Sequence, residues 1–410
     1  MVLLCSLLMM SSVPLAALCT GIVIHKAPSK FLFFLPCYIL LFGMLAYAYD
    51  PVTTDDLFRY FLQLDYCRKL PFSEAFSWGD DGLVVKNLIF WIIGRIGDNH
   101  LLTLLSTGTL YGVSAYIAAD AAKGNAKQLK FLILFEILTL PFLEAVSNVR
   151  NMSAFALVIL AVYRDMVKGK HNVWTFLLYV LPCFIHITGF TLIVIRLAIV
   201  VVRRYPVFGT IATVLIPTAA LAVNTAFSSV VSRIPGSIGK ILTRAVNKAK
   251  STALNSSEYA ISRRESGYYN ACRAVIFLMF LILIYLTILY IKNNRRIEAK
   301  RPYVGFAVFC LLICDLTVVW ISIQTVKYWV YAVAAILCCT PILADYLGNF
   351  RSQDRKVQIC FLGLELLAFM RFGLELYRIS AKINPAAFFE NILLNNFFVI
   401  VGEAVARILA

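Results

Sequence analysis

The stretch FLILFEILTLPFLEAVSNVRNMSAFALVILAVY (residues 131–163) decides the fold class, because it joins two strongly apolar runs through a short polar interruption. Both runs are apolar enough to lie in a membrane. Between them stands SNVRNMS, with Arg150 at its centre and too few residues for a proper loop. The pattern predicts two membrane-embedded segments joined by a turn that carries a guanidinium group.

The bulk composition points to the same class. Hydrophobic residues make up 61% of the 410 residues and the mean hydropathy is +0.81, whereas soluble domains are near half apolar. We expect an all-α, polytopic integral membrane protein with roughly 11–13 transmembrane or partly inserted helices, forming a single membrane domain over residues 1–410. A β-barrel is disfavoured because its strands alternate apolar and polar residues, and these runs are continuous. The first apolar run has no basic residue before it, which favours a retained helix over a secretory signal.

The basic loops set the expected topology. The net charge is +16, and short basic loops such as HKAPSK, AAKGNAKQLK and NNRRIEAKRP belong on the cytoplasmic side. The Arg150 turn and the neighbourhood of His186 then lie on the opposite face. This scheme requires residues 83–96 to be a short, partly inserted segment. It also makes residues 173–202 a hairpin that is too short for two full crossings and breaks near His186.

Two expected external loops carry opposite charge. Loop 50–82 has seven acidic and three basic residues, and loop 228–273 has eight basic and two acidic residues. The basic excess suggests an anionic partner. Within the second loop, SIGKILTRAVNKA has the pattern of an amphipathic helix suited to a membrane surface. The alternative is a solvated helix that pairs with the acidic loop.

Four charged or titratable side chains in apolar surroundings are the main candidates for chemistry. The Arg150 guanidinium suits phosphate oxygens, although it could instead contact lipid headgroups, Glu136 or Glu144. His186 is either a hydrogen-bonded packing residue or a group that exchanges a proton near neutral pH. Arg196 could pair with a buried carboxylate or bind a ligand. Arg371 lies four residues before Glu375, the spacing of an intrahelical ion pair, and we interpret that pair as structural.

Other motifs are less specific. Tyrosines stack on sugar faces and also anchor helices at the membrane interface, and the candidates here are Tyr268 and Tyr328. Lys327, which directly precedes Tyr328, is a neighbouring cationic candidate. GTLYG (Gly108, Gly112) has the small-xxx-small spacing of helix packing. Cys310 and Cys314 share a helix face, but no histidine or second pair supports a metal site. Only Cys67 and Cys272 fall in expected polar loops, where a disulfide is one alternative. Soluble-enzyme signatures such as GxGxxG, a phosphate loop or HExxH are absent from the sequence.

Three segments in order resemble a known family: DPVTTDDLFRYF, SNVRNMSAFALVILAVYRD and FLLYVLPCFIHITGFTLIVI. The chain is similar to the EpsG-like branch of the Wzy-type polysaccharide polymerases. That family has an external Asp followed by an aromatic residue, then an Arg that opens a helix, then a His within the next apolar segment. The matching residues are Asp55 or Asp56 with Tyr60, then Arg150, then His186. Asn151 stands where the family usually has Gln, and the second half of the chain matches only in layout.

The resemblance implies a function. Such proteins, with a GT-C-like architecture, polymerise oligosaccharide repeat units carried on undecaprenyl pyrophosphate at the outer face of the bacterial inner membrane, yielding O-antigen, capsule or exopolysaccharide. A hydroxyl of one unit attacks the anomeric carbon of the growing chain, and the lipid pyrophosphate leaves. No cofactor, dedicated metal or nucleic acid is expected. The expected partners are the lipid-linked donor and acceptor, membrane lipids and a chain-length regulator protein.

The resemblance also assigns roles to residues of this sequence. The catalytic candidates are Arg150, His186 and Asp56. The expected pyrophosphate ligands are Arg150, Arg196, Arg233, Arg244, Arg263, Arg264 and Lys327. The expected sugar ligands are Asp55, Asp56, Tyr60, Tyr268 and Tyr328. Two rival functions remain open: a flippase for lipid-linked glycans, which needs a cationic path across both leaflets, and a membrane O-acyltransferase, which needs a second polar partner beside His186.

Overall fold

The computed structural model describes most of the chain. The described residues are 10–53, 55–79, 81–204, 266–322, 328–348, 350, 354–382, 385–394 and 396–409. Within these ranges every regular element is helical and no strand occurs. The sequence-based prediction of an all-α protein is therefore confirmed.

The helices are numbered here in chain order. The first eight are α1 (Val13–Lys26), α2 (Phe31–Tyr47), α3 (Asp56–Cys67), α4 (Val84–Ile96), α5 (Leu101–Ala122), α6 (Ala126–Thr139), α7 (Phe142–Ser147) and α8 (Val149–Met166). The other eight are α9 (Val173–Cys183), α10 (Thr188–Arg204), α11 (Gly267–Asn294), α12 (Arg301–Ser322), α13 (Tyr328–Gly348), α14 (Arg355–Lys382), α15 (Pro385–Leu394) and α16 (Phe397–Leu409). Short 3₁₀ turns are Pro28–Lys30, Phe72–Glu74 and Glu298–Lys300.

Among the described residues, six segments are long and apolar enough to cross a membrane: Pro28–Tyr47, Leu101–Ala122, Gly267–Asn294, Glu298–Ser322, Tyr328–Gly348 and Arg355–Lys382. Helices α15 and α16, which meet at 79°, give a seventh if they form one broken span. Helices α1, α9 and the first part of α10 are shorter apolar helices. The chain is thus a multi-pass membrane protein. The described part contains fewer full spans than the roughly 11–13 expected helices, a number that included partly inserted segments and undescribed residues.

The two ends of the helical bundle differ in how their charged residues are paired and in which side chains they contain. Helix α8 runs between them, with Arg150 in its first turn and Asp165 near its last residue, about 22 Å apart at 1.5 Å per residue. We call the end near Arg150 the site end and the other the basic-loop end. The basic-loop end contains ion pairs between helices: Lys168 contacts Asp120, and Lys300 contacts Asp345.

Close helix packing follows the glycine spacing. A methyl group at Gly112 would lie 2.4 Å from Ile39 Cγ1, and one at Gly108 would lie 3.1 Å from the Ile39 carbonyl oxygen. Glycine at both positions therefore lets α2 approach α5 closely, which confirms the packing role predicted for GTLYG. Helix α13 is the most buried of the six spans, since 89% of its 18-residue apolar stretch lies inside the bundle.

The short segment at residues 83–96 and the break in the hairpin are found as predicted from the topology, whereas their partial insertion in the membrane stays a prediction. Helix α4 has only 13 residues and ends at Gly97, whose positive φ of 80° suits glycine. Helices α9 and α10 form a hairpin that breaks between Cys183 and Thr188, and His186 lies in the break. The break that the sequence predicted near His186 is therefore confirmed. Cys67 and Cys272, the pair for which a disulfide was one alternative, are both buried free thiols.

Candidate functional site

Arg150 and Tyr60 are brought together at the site end. An Arg150 Nη2 hydrogen donates to the Tyr60 hydroxyl at 3.0 Å, and Arg150 Cζ lies 4.6 Å from the centre of the Tyr60 ring. Tyr60 is held by α3, whose apolar face packs with Phe90 of α4 and with Val149 beside Arg150. Arg150 Nε is buried and has no hydrogen-bond partner among the described residues. The contact fixes the guanidinium plane and leaves Nε as an uncommitted donor.

His186 is connected to the first turn of α8 through Thr188. The Thr188 backbone N–H donates to His186 Nδ1 at 3.3 Å, and Thr188 Oγ1 lies 2.8 Å from the same nitrogen. The Thr188 hydroxyl also donates to Asn151 Oδ1 at 3.2 Å. Thr188 therefore holds the imidazole ring through Nδ1. Thr188 thus links His186 to Asn151, the immediate neighbour of Arg150.

The two adjacent aspartates of the first loop have different roles. Asp55 is buried, accepts the Tyr49 hydroxyl hydrogen, and forms an ion pair with Lys382 at 2.7 Å. Burial and then the hydrogen bond to Asp55 raise the pKa of Tyr49 far above its usual range. Asp56 is partly exposed and pairs with Arg59 one turn further along α3. Asp55 therefore connects the loop to α14, and Asp56 remains accessible.

A small, partly open cavity lies beside α7 at the site end. Helices α6, α7, α11, α13 and α14 contribute to its wall. Three arginines line it and are largely buried: Arg273 is 6% exposed, Arg371 5% and Arg378 8%. Aromatic side chains complete the wall: Tyr268, Tyr269, Tyr328 and Trp329.

Two of the cavity arginines are paired with glutamates and still keep buried hydrogen-bond donors. Arg371 Nη2 contacts Glu375 at 2.8 Å, and Arg378 Nη1 contacts Glu144 at 2.7 Å. Arg371 Nε and Nη1 and Arg378 Nε are buried without a hydrogen-bond partner among the described residues. A buried donor without an acceptor is costly, and a bound anion would satisfy it. The donors that Arg371 and Arg378 keep in the described part of the chain therefore favour an anionic ligand.

Helix α7 connects the cavity to the Arg150–Tyr60 contact. Glu144 accepts from Arg378 on the cavity side and from Asn148 Nδ2, at 2.8 Å, on the side of α8. The Leu143 backbone N–H donates to Glu375 Oε1 at 2.9 Å. Because Glu144 pairs with Arg378, and the hydroxyl of Thr340 donates to Glu136, neither carboxylate is the partner of Arg150. Glu144 therefore links the cavity arginine Arg378 to Asn148, which stands two residues before Arg150.

Arg196 does not belong to this site. Its guanidinium contacts Asp165 Oδ2 at 2.7 Å, at the basic-loop end of the bundle, and Tyr179 donates to the same carboxylate oxygen. The predicted grouping of Arg196 with Arg150 is corrected, because the two residues lie at opposite ends of the bundle. Of the two interpretations from the sequence, pairing with a buried carboxylate is the one observed.

The structure brings together only part of the predicted set. Tyr268 and Tyr328 line the cavity, and Arg150, Tyr60 and His186 lie around the first turn of α8. The remaining predicted phosphate ligands lie outside the described residues: Arg233, Arg244, Arg263, Arg264 and Lys327, together with Lys240 and Lys248 of the predicted amphipathic helix. In sequence, Lys327 directly precedes Tyr328, and Arg264 stands four residues before Tyr268.

Sequence reasoning missed part of the cavity. The Arg371–Glu375 ion pair was predicted and is confirmed, but its place in a cavity wall was not. The signal was available: Arg371, Glu375 and Arg378 recur at four- and three-residue steps on one face of an otherwise apolar helix.

Lys86 is a second buried cation that sequence reasoning missed. It pairs with Asp81, and its Nζ lies 4.6 Å from the centre of the Trp78 ring. The Lys86 backbone N–H donates to the Phe184 carbonyl, which connects α4 to the hairpin break beside His186.

In comparisons with known proteins, no family model, no curated protein and no solved structure matches the chain.

Proposed function

We propose that the protein polymerises oligosaccharide repeat units carried on a lipid pyrophosphate, at the outer face of the bacterial inner membrane, with the site end facing outward. The carrying observation is the cavity at that end, in which Arg371 and Arg378 hold buried donors without partners and tyrosines form the adjacent wall. Guanidinium donors suit phosphate oxygens and aromatic rings suit sugar faces. A lipid-linked pyrophosphoryl glycan combines both chemistries.

Arg371 and Arg378 are suited to holding the pyrophosphate. Each has one guanidinium edge committed to a glutamate, and each keeps at least one other nitrogen for a ligand. The glutamates fix the orientation of the guanidinium planes before the ligand arrives. A preorganised cation stabilises negative charge without reorganising during the reaction.

Arg150 is suited to the charge that grows on the leaving group. In the proposed step an acceptor hydroxyl attacks the anomeric carbon of the donor chain, and a new glycosidic C–O bond forms. The bond from that carbon to the phosphate oxygen breaks, the lipid pyrophosphate leaves, and the hydroxyl proton passes to a base. The leaving-group charge is larger in the transition state than in the ground state. A fixed guanidinium beside it therefore accelerates the step.

His186 fits a role in orienting the substrate better than a role as the base. Thr188 contacts Nδ1 and also Asn151, so the ring is held in one orientation beside the neighbour of Arg150. A ring held in this way is suited to orienting the substrate rather than to exchanging protons with it. Asp56, which is partly exposed on α3, is the carboxylate that would accept the hydroxyl proton.

The distribution of paired charges favours polymerisation over transport across the membrane. Among the described residues, the ion pairs Arg196–Asp165, Lys168–Asp120 and Lys300–Asp345 hold cations at the basic-loop end. The buried arginine donors without partners are at the site end instead. A flippase needs cationic groups along a path between leaflets, whereas a polymerase needs them on one side.

Deletion of the gene tests the proposed function in the host. Surface polysaccharide is separated by gel electrophoresis from the parent, the deletion strain and the deletion strain that carries the gene on a plasmid. We expect a ladder in the parent, single capped repeat units in the deletion strain, and a restored ladder on complementation. Complete absence of repeat units from the surface, with lipid-linked units accumulating inside, would identify a flippase instead.

A further inference from the structure

Three cysteine sulfurs meet inside the bundle, away from the cavity. Cys310 and Cys314 lie one turn apart on α12, and Cys339 faces them from α13. The Sγ–Sγ distances are 3.2 Å for Cys310–Cys339, 3.9 Å for Cys314–Cys339 and 4.0 Å for Cys310–Cys314. All three side chains are fully buried or nearly so. The cluster is independent of the proposed function.

The spacing of the sulfurs fits one small soft cation. A metal about 2.3 Å from each sulfur, at trigonal or tetrahedral angles, requires sulfurs about 3.8–4.0 Å apart. Two of the three pairs have this separation already, and the third needs to widen by somewhat less than 1 Å, which small side-chain rotations provide. The sequence could not reveal the site, because its third sulfur comes from the following helix.

We propose that Cys310, Cys314 and Cys339 form a binding site for a soft divalent cation, of the Zn²⁺ or Cd²⁺ type, that fastens α12 to α13. Thiolate ligands select soft ions over Mg²⁺ or Ca²⁺. The thiolate, not the thiol, is the metal ligand, so binding releases three protons from the three thiols and leaves a centre with one net negative charge. The ion stabilises the packing of α13, the helix that carries Tyr328 to the cavity wall.

The test uses the full-length protein, reduced and then freed of reductant under anaerobic conditions in lipid nanodiscs, and titrated with Cd²⁺. We expect about one Cd²⁺ per chain, a thiolate-to-cadmium absorption band in the ultraviolet, and a higher unfolding temperature. Cys310→Ser, Cys314→Ser and Cys339→Ser should each weaken binding more than about 100-fold, since even the loss of a group that only supports a ligand costs 10–100-fold.

Cys338→Ser is the matched control, because Cys338 is equally buried at the neighbouring position of α13. It should retain the absorption band and the affinity, and each variant is first checked for a monodisperse elution profile like that of the wild type. Equal loss in Cys338→Ser would overturn the proposal. So would the absence of stoichiometric binding to the reduced wild type, or a Cys310–Cys339 disulfide that persists after reduction and excludes the ion.

Discussion

Arg150 of α8 donates to the Tyr60 hydroxyl at 3.0 Å while its guanidinium lies over the Tyr60 ring, so two residues 90 positions apart fix one another at the site end. The contact answers why an arginine stands between two apolar runs. The aromatic face and the hydroxyl hold the guanidinium in one orientation, and its buried Nε remains available to a ligand. Each prediction below follows from one such contact.

Arg150→Lys should reduce polymerisation by at least about 100-fold without lowering the amount of protein in the membrane. A lysine keeps the charge but loses the planar fork that binds phosphate oxygens in a bidentate manner. The measurement is ladder intensity on a gel against protein level by immunoblot. A ladder of wild-type intensity from the lysine variant would contradict a role at the leaving group.

Tyr60→Phe should have a milder effect than Arg150→Lys. Phenylalanine keeps the ring under the guanidinium and removes one hydrogen bond, a change of about 0.5–1.5 kcal/mol. Roughly 2–10-fold slower chain growth is therefore expected, with an unfolding temperature lowered by only about 1–5 °C. Tyr60→Ala removes the ring as well and should approach the loss seen for Arg150→Lys. Identical activities for the phenylalanine and wild-type proteins would show that the hydroxyl does not orient Arg150.

Arg378→Lys should weaken binding of the lipid pyrophosphate by about 10-fold or more while keeping a cation beside Glu144, because it removes the guanidinium nitrogen that has no protein partner. Arg196→Lys is the matched control, since Arg196 also pairs with a carboxylate but at the opposite end of the bundle. The measurement is the shift in unfolding temperature on adding undecaprenyl pyrophosphate to purified protein. Equal weakening by both substitutions would mean that the cavity is not the binding site.

His186→Ala should slow turnover more than it lowers stability. The ring is held by Thr188, which in turn contacts Asn151 next to Arg150. Thr188→Val, which removes only the hydroxyl, should produce a smaller loss by releasing the ring. Product formation and unfolding temperature are measured for both variants. Parallel losses of protein and product in His186→Ala would identify the histidine as a packing residue.

Asp55 and Asp56 should separate into a structural and a functional residue. Asp55→Asn leaves Lys382 without its partner in a largely buried pair and should destabilise the protein by about 1–3 kcal/mol. The loss is not larger because the lysine is partly exposed and can reach solvent. Asp56→Asn should leave the unfolding temperature unchanged and reduce chain growth, with single units still reaching the surface.

The exchange Asp55→Lys with Lys382→Asp checks the structural half of this prediction. Restored stability in the double variant is expected if the pair only holds the first loop on α14. A double variant no more stable than its parents would show that Asp55 contributes in another way.

The sequence predicted features that depend on local spacing. The apolar runs, the break at His186, the Gly108–Gly112 packing and the Arg371–Glu375 pair all follow from the periodicity within one helix or hairpin. The cavity could not be predicted in this way. Arg273 and Arg378 belong to different helices, and the contact between those helices depends on tertiary packing. Cys339 and the Arg196–Asp165 pair were missed for the same reason. A partner on another helix has no signature in the spacing of residues along the chain.

Reconstituted polymerisation tests the central claim most directly. The purified protein, in nanodiscs, is given lipid-linked repeat units extracted from the deletion strain, and both polymer length and free undecaprenyl pyrophosphate are measured. We expect a ladder whose number of new linkages equals the amount of lipid pyrophosphate released, and loss of both products in the Arg150→Lys and Arg378→Lys proteins. The claim would be contradicted if monodisperse wild-type protein gave no ladder and released no lipid pyrophosphate, and instead moved the lipid-linked units between the leaflets of proteoliposomes.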